Sequence, residues 1–408
     1  MQNVDNPNPE NIQSGDATMV LVELLAGLGG LVKVKRRADA DSAVFKLHYK
    51  LTATMLFGFC LLVTANSLVG DPIHCVHDEN PKLQDKVVNT YCWIHTTFTL
   101  PRHIDKGYGK GTGIVYPGVG PHTSSDSRIY HAYYQWVPFV LFLQGLMFYA
   151  PHWLWKTWEG GKLESIVMGL SVPVMSKDER HEKIHLLADY LRSSIHHHNF
   201  YALKFFICEL LNLGNSIFNI WFMNEFLGGM FFTYGIDVLR FTERNQEDRT
   251  DPMIVVFPRV TKCNFNMYGP SGSIETHDLM CVLALNIINE KIYVFLWFWF
   301  VILSVISGLA FLYRLIVLCI PAIRVGLLQK RARLHYKTGL DVVSKRLQMG
   351  DFFLLYLLSK NLELLSFSSL IEEFVARLGS RRTHPHPNIE VSAPPASTER
   401  FHLINEHA

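Results

Sequence analysis

Charge of either sign is scarce in this chain. Lys and Arg total 38 against 36 Asp and Glu in 408 residues, so the formal net charge is +2 and 18% of residues are charged. A balance so near zero gives no support for a protein that binds nucleic acid over its whole surface. The start of the sequence shows no cleavable-leader pattern, so none is expected there. Met1 to Gly15 is polar, carries Pro7 and Pro9, and has no basic stretch running into an apolar one. Only seven cysteines occur, none in residues 1–50, 159–200 or 320–408, and none forms a Cys-x-x-Cys pair. The close spacing usual in a four-thiolate zinc site is therefore missing. What is plentiful is apolar: 49% hydrophobic and 12% aromatic residues, which excludes a disordered chain.

Those apolar residues are gathered into dense runs. A helix needs about 20 of them to cross a bilayer core, and four segments qualify: 51–69, 133–158, 201–227 and 292–319. Tyr133, Tyr134 and Trp136 mark one end of the second, and Trp153, Trp155 and Trp158 the other, as an interfacial aromatic belt would. Pro138 and Pro151 predict kinks in it. The third carries Glu209, Asn212, Ser216 and Asn219 at helical spacing, a polar stripe that must face another helix or a water-filled cavity. Interhelical packing is favoured over a pore wall for that stripe. In the fourth, Arg314 lies near the far end, where its head group can snorkel.

The basic residues set the orientation. Lys33, Lys35, Arg36, Arg37, Lys46 and Lys50 precede the first span. Lys156, Lys162, Arg192 and Lys204 surround the loop between the second and third, and Arg324, Lys330, Arg331, Arg333 and Lys337 follow the fourth. The remaining loops offer mainly Lys82, Arg128, Arg240 and Lys291. Both termini are expected in the cytoplasm. The chain then divides into an N-terminal segment 1–50, an outer loop 70–132, a cytoplasmic loop 159–200, a second outer loop 228–291, a cytoplasmic helical region 320–378 and a disordered tail 379–408. The expected fold class is a mainly α integral membrane protein with four transmembrane helices, α+β outer loops and a helical cytoplasmic domain.

Four cysteines fall in the outer loops, Cys75 and Cys92 in the first and Cys263 and Cys281 in the second, while Cys60, Cys208 and Cys319 fall within spans. An oxidising exterior allows two bridges among the four, in any of three connectivities. Disulfides are favoured over metal ligation.

Several strings resemble the innexins, the gap-junction proteins of invertebrates, and their insect members in particular. Tyr133-Tyr134-Gln135-Trp136-Val137 matches the family signature. Gly70-Asp71-Pro72-Ile73, Tyr91-Cys92-Trp93-Ile94, Asp251-Pro252-Met253 and Asn289-Glu290-Lys291-Ile292-Tyr293 are similar to family strings too. The resemblance implies a plasma-membrane ring of about eight like subunits, open to mixing with other innexins. The ring docks on a ring of the neighbouring cell and passes ions and small metabolites by passive diffusion. It also implies bridges Cys75–Cys281 and Cys92–Cys263, and a pore mouth lined by an N-terminal helix. Here the matching stretch is Thr18 to Arg37, so Met19, Leu21, Leu24, Leu25 and Leu28 are the candidate pore-lining residues. The longer leading segment, Met1 to Gly15, is expected beside the cytoplasmic vestibule.

Two other function classes have a foothold. His181-Glu182-Lys183-Ile184-His185 fits the zinc-protease pattern, with Glu209 as a third ligand. The flanks lack the further Gly and His of related patterns, so a solvated helix face is favoured and no catalytic residue, metal or cofactor is assigned. A four-span adhesion protein, in which bridged loops dock without a pore, is the second alternative. Gly107 to Gly113 reads as a flexible loop, because it lacks the Gly-Lys-Ser/Thr ending of a phosphate cradle. His74, His77, His95, His103, His122 and His131 are expected as surface or core residues of the first outer loop.

Overall fold

The structure is a computed structural model that describes residues 38–76, 84–104, 114–123, 125–167, 170, 176–243, 251–332 and 346–379. Among these, four helices are long and apolar enough to cross a membrane: α1, Ala43–Val69; α3, Val137–Glu159; α6, Asn199–Phe226; and α9, Ala284–Cys319. Their common core holds Leu56, Val63, Leu141, Phe148, Phe300 and Leu303. Outward-facing Leu62, Phe139, Leu210 and Leu309 remain exposed, as lipid or a neighbouring subunit requires.

Helix α1 begins eight residues before the apolar run does. Ser42 caps it, its Oγ accepting from the Phe45 amide at 3.1 Å. Leu47–Thr52 then forms a π-helical turn. Thr52 Oγ1 donates back five residues to the Leu47 carbonyl and accepts from Trp299 Nε1 on α9, each at 3.0 Å. In the same turn His48 meets Ser307 of α9, Nε2 to Oγ 2.7 Å. Such single-turn bulges re-aim side chains, and here they aim two polar groups into the bundle.

Proline acts differently at its two places in α3. Pro138 sits in the first turn, where no helical hydrogen bond is lost. Pro151 lies inside the helix. Gly160, at φ +59°, ends α3 in the left-handed conformation. Glu159 then accepts from the amides of Gly161 and Leu163, starting the short α4, Lys162–Val167.

The polar stripe of α6 points inward. Asn212, Ser216 and Asn219 are buried in the bundle, and Glu209 pairs with Arg314 of α9 at 3.3 Å. Pairing is what allows two charges to sit in apolar helices.

At the end of the bundle where the described chain begins, helices α5 (Lys177–Ser193), α10 (Pro321–Ala332), α11 (Met349–Asn361) and α12 (Leu364–Gly379) pack around Phe353, Leu354, Leu358, Phe367, Leu370 and Phe374. Arg377 of α12 pairs with Asp189 of α5 and with Glu373. The expected tail beyond residue 379 lies outside the described residues.

The opposite end carries the two long loops. They contribute α2 (Asp85–His95), α7 (Phe231–Glu243), α8 (Pro252–Val256) and one five-stranded sheet of order β1-β5-β4-β2-β3. Strands β1 (His74–Val76), β2 (Thr97–Thr99) and β3 (Ile129–His131) come from the first loop, and β4 (Val260–Tyr268) and β5 (Ile274–Val282) from the second. All neighbours are antiparallel. The second-loop hairpin is thus flanked on both sides by first-loop strands, and neither loop forms the sheet alone.

Candidate functional site: the disulfide-braced loop unit

Antiparallel register brings Cys75 of β1 opposite Cys281 of β5. Their sulfurs are bonded at 2.05 Å, as are those of Cys92 on α2 and Cys263 on β4. Both bridges join the first loop to the second. The sulfurs of Cys75, Cys92 and Cys281 lie within 4.8 Å of one another, so the bridges are neighbours. Paired in this way they present no thiolate to a metal. Around them Ile73, Val88, Tyr134, Leu279 and Leu283 form a small core.

Polar contacts reinforce the union. Lys262 of β4 is 6% exposed, and its ammonium reaches the Gly120 carbonyl at 2.8 Å, His122 at 2.8 Å and Asp278 at 2.6 Å. Burial, aided by that ammonium, holds the His122 imidazole below its ordinary pKa. His131 Nε2 meets Thr99 Oγ1 at 2.8 Å across the β2–β3 pair. Burial pushes its pKa down to about 4. His95 stacks on Tyr91, His103 Nε2 lies 3.1 Å from the Pro121 carbonyl, and His74 is exposed. His77 and Gly107 to Gly113 lie outside the described residues.

The Tyr133–Val137 string is the joint between this unit and the membrane helices. Tyr133, Tyr134 and Gln135 form a single 3₁₀ turn, Trp136 caps α3 and Val137 is its first residue. Tyr134 is buried in the disulfide core against Trp93, with ring centroids 4.6 Å apart. Gln135 donates to the Trp93 carbonyl. Tyr133 turns the other way, its ring 5.6 Å from Phe257, and its hydroxyl accepts from Asn286 Nδ2 at 3.0 Å. Val137 is fully buried, whereas Trp136 is 60% exposed, as suits an interfacial ring.

Two residues of this joint escaped the sequence reading. Arg259 grips Glu290 at the head of α9 in a bidentate pair, Nε and Nη2 each 2.8 Å from a carboxylate oxygen. Asn286 donates to the Pro258 carbonyl as well as to Tyr133. The helical spacing of Asn286, Asn289 and Glu290 ahead of an apolar run was the available signal, since buried polar groups at one face imply partners. The hydrogen bonds to Glu290, strengthened by the carboxylate charge, raise the Arg259 pKa against burial.

The alternative metal site does not assemble around His181. His181 and Glu182 are exposed on α5, and His185 lies 3.7 Å from Asp189 and 3.9 Å from Glu373. Glu209 is held by Arg314 instead. Met19, Leu21, Leu24, Leu25 and Leu28 lie outside the described residues.

The innexin family model matches residues 41–378. The chain belongs to the innexin family. Members of the family are gap junction channel subunits of the plasma membrane, and this chain is one of them. Innexin inx2 of Schistocerca americana is 47% identical over 360 residues, covering 88% of this chain and 98% of the relative. Innexin inx2 of Drosophila melanogaster is 45% identical over 367 residues, 90% and 98% of the two chains. Innexin shaking-B of the same fly is 42% identical over 371 residues, 91% and 98%. In this innexin the two bridges and the Lys262 contacts tie the two outer loops together, and the Tyr133–Val137 joint ties them to the head of α3.

Proposed function

We propose that this innexin assembles as a ring of about eight like subunits, alone or mixed with other innexins, and docks through its loop unit onto a ring in the apposed membrane. Ions and small metabolites then diffuse between cytoplasms. The observation that carries this reading is the double covalent bracing of the two loops, Cys75–Cys281 and Cys92–Cys263. A face ordered before contact loses little conformational entropy on docking, which is what end-to-end association of two rings needs. Exposed Tyr268 and Ile274, at the tip of the β4–β5 hairpin, supply apolar area on that face.

Both termini are assigned to the cytoplasm on the basic flanks of the spans. Met19, Leu21, Leu24, Leu25 and Leu28 are assigned to the pore mouth on the family resemblance, with Met1 to Gly15 beside the vestibule. Passive passage needs a hydrated pore and no catalytic group. Paired-cell recording tests the reading. Junctional current is expected in pairs expressing the protein and is expected to vanish with Cys75→Ser. Cell clustering without current would replace the channel with an adhesion protein.

A further inference from the structure

Where α6 begins and α9 ends, those helices meet α10 and the start of α11 around a cavity of about 640 Å³. Its apolar wall includes Phe200, Leu203, Phe206, Leu318 and Met349. Phe200 is 76% exposed and Leu203 51%, so the cavity opens sideways from the bundle. Phe206 lies seven residues into α6, about 10 Å deeper along the helix axis. The opening therefore sits at the end of the apolar span, and the wall runs from there toward the apolar interior.

Among the described residues one charged side chain, Arg324, lines it, and no carboxylate does. The polar lining residues Asn199 and Gln348 satisfy each other, Asn199 Nδ2 donating to Gln348 Oε1, while Asn199 Oδ1 accepts from the Gly350 amide at 3.0 Å. Arg324 Nε, by contrast, is buried without a hydrogen-bond partner among the described residues. With no carboxylate paired to it among the described residues, the Arg324 guanidinium beside an apolar cavity suits a planar or tetrahedral oxyanion reached by its terminal nitrogens. The next arginine inward is already committed: Arg314 pairs with Glu209 and lies over the rings of Phe205 and Tyr356. The site thus offers one anion position above one apolar channel.

We propose that this cavity binds an anionic glycerophospholipid of the cytoplasmic leaflet, one acyl chain against Phe200, Leu203, Phe206 and Leu318 and the phosphate on Arg324. A neighbouring subunit would need to present both a carboxylate and an apolar knob there, whereas membrane lipid supplies the two together at this depth. Only the choice of leaflet rests on the orientation proposed above. Bound in this place, the lipid bridges two membrane helices to α10 and α11, so membrane composition reaches the helical domain at the chain's termini.

The full-length protein, reconstituted in phosphatidylcholine vesicles with one part in five phosphatidylserine, provides the test. Phosphatidylserine carrying a photoreactive acyl chain is expected to label peptides around residues 200–206 and 318 about fivefold more than the matching phosphatidylcholine probe. Arg324→Gln is expected to bring the two probes to parity while labelling persists. Leu203→Trp, which fills the channel, is expected to remove labelling by both. Equal labelling of the unaltered protein by the two probes, or labelling that survives Leu203→Trp, would overturn the proposal. So would a chain-to-chain disulfide through Leu203→Cys that added lipid does not suppress. Reaction of Gly326→Cys with an impermeant thiol reagent on intact cells would overturn the orientation instead, leaving the binding result standing.

Discussion

The Lys360 ammonium donates to the backbone carbonyl of Asp41 at 2.8 Å, across 319 residues of sequence. Beside it Asn361 closes a pair of bonds with the Asp39 backbone, donating to its carbonyl at 3.0 Å and accepting from its amide. The last turn of α11 therefore grips the segment that leads into the first membrane helix. Tyr49 and His152 complete the joint, stacked at 3.6 Å, with the Tyr49 hydroxyl donating to Asp41 at 2.9 Å.

Asn361→Ala removes both backbone bonds and is expected to destabilise the joint by about 1–2 kcal/mol, since each such bond is worth about 1 kcal/mol net. Since the grip holds the root of α1, single-channel records of the variant should show altered open probability with surface expression retained. Unchanged gating would separate this joint from the pore.

Arg259→Met leaves the Glu290 carboxylate, 0% exposed, without its bidentate partner. The Lys291 ammonium, 2.8 Å from the same carboxylate, compensates in part, so the cost is expected below the about 3–5 kcal/mol of stripping one member from a fully buried pair. Loss of the protein from the cell surface is expected, measured by surface biotinylation. Arg259→Lys should rescue only in part, because an ammonium cannot make the two parallel bonds.

Acid should weaken the loop unit through His131. Its folded pKa is depressed to about 4 by burial, against an ordinary value of 6.5. Between those values the unfolded chain binds a proton that the folded chain does not. Stability is thus fully present above pH 6.5, falls as pH drops toward 4, and changes no further below that; the whole step is about 3 kcal/mol. Melting of the purified protein across this window checks it. His131→Gln, which has no proton to gain, should flatten the slope.

Gly145 of α3 faces α1 so closely that a Cβ there would stand 2.7 Å from Phe57 Cε1. Gly145→Val is expected to push α1 and α3 apart and cost about 1–3 kcal/mol, as overpacking of an interior commonly does. A second change, Phe57→Ala, should restore assembly, read as oligomer size in detergent.

Much of the architecture was legible because membrane helices announce themselves: runs such as Leu296 to Leu303 leave little else for the backbone to do. Short strands do not. Each of β1, β2 and β3 has three residues, too few to show alternation, and their pairing depends on partners from the other loop. The start of α1 was hidden because Lys46 and Lys50 made residues 43–50 read as a flank, although Ser42 is a good capping residue. The place of Pro138 in the first turn was not legible because it depends on where the helix starts, which the sequence left open. The grip of Lys360 on Asp41 had no local signal, being a meeting of distant segments. Inward placement of Asn212, Ser216 and Asn219, on the other hand, followed from spacing alone.

The nesting of the two bridges also constrains biosynthesis. Residues 75 to 281, closed by the outer bridge, enclose α3 and α6, and the inner bridge from 92 to 263 encloses the same two helices. Neither can close until both middle helices have left the ribosome and the second loop has reached the oxidising compartment. Until about two thirds of the nascent chain has been made, Cys75 and Cys92 therefore lack their native partners and stay reduced or pair with other thiols. Oxidative quality control thus acts late, after three of the four membrane helices have been synthesised.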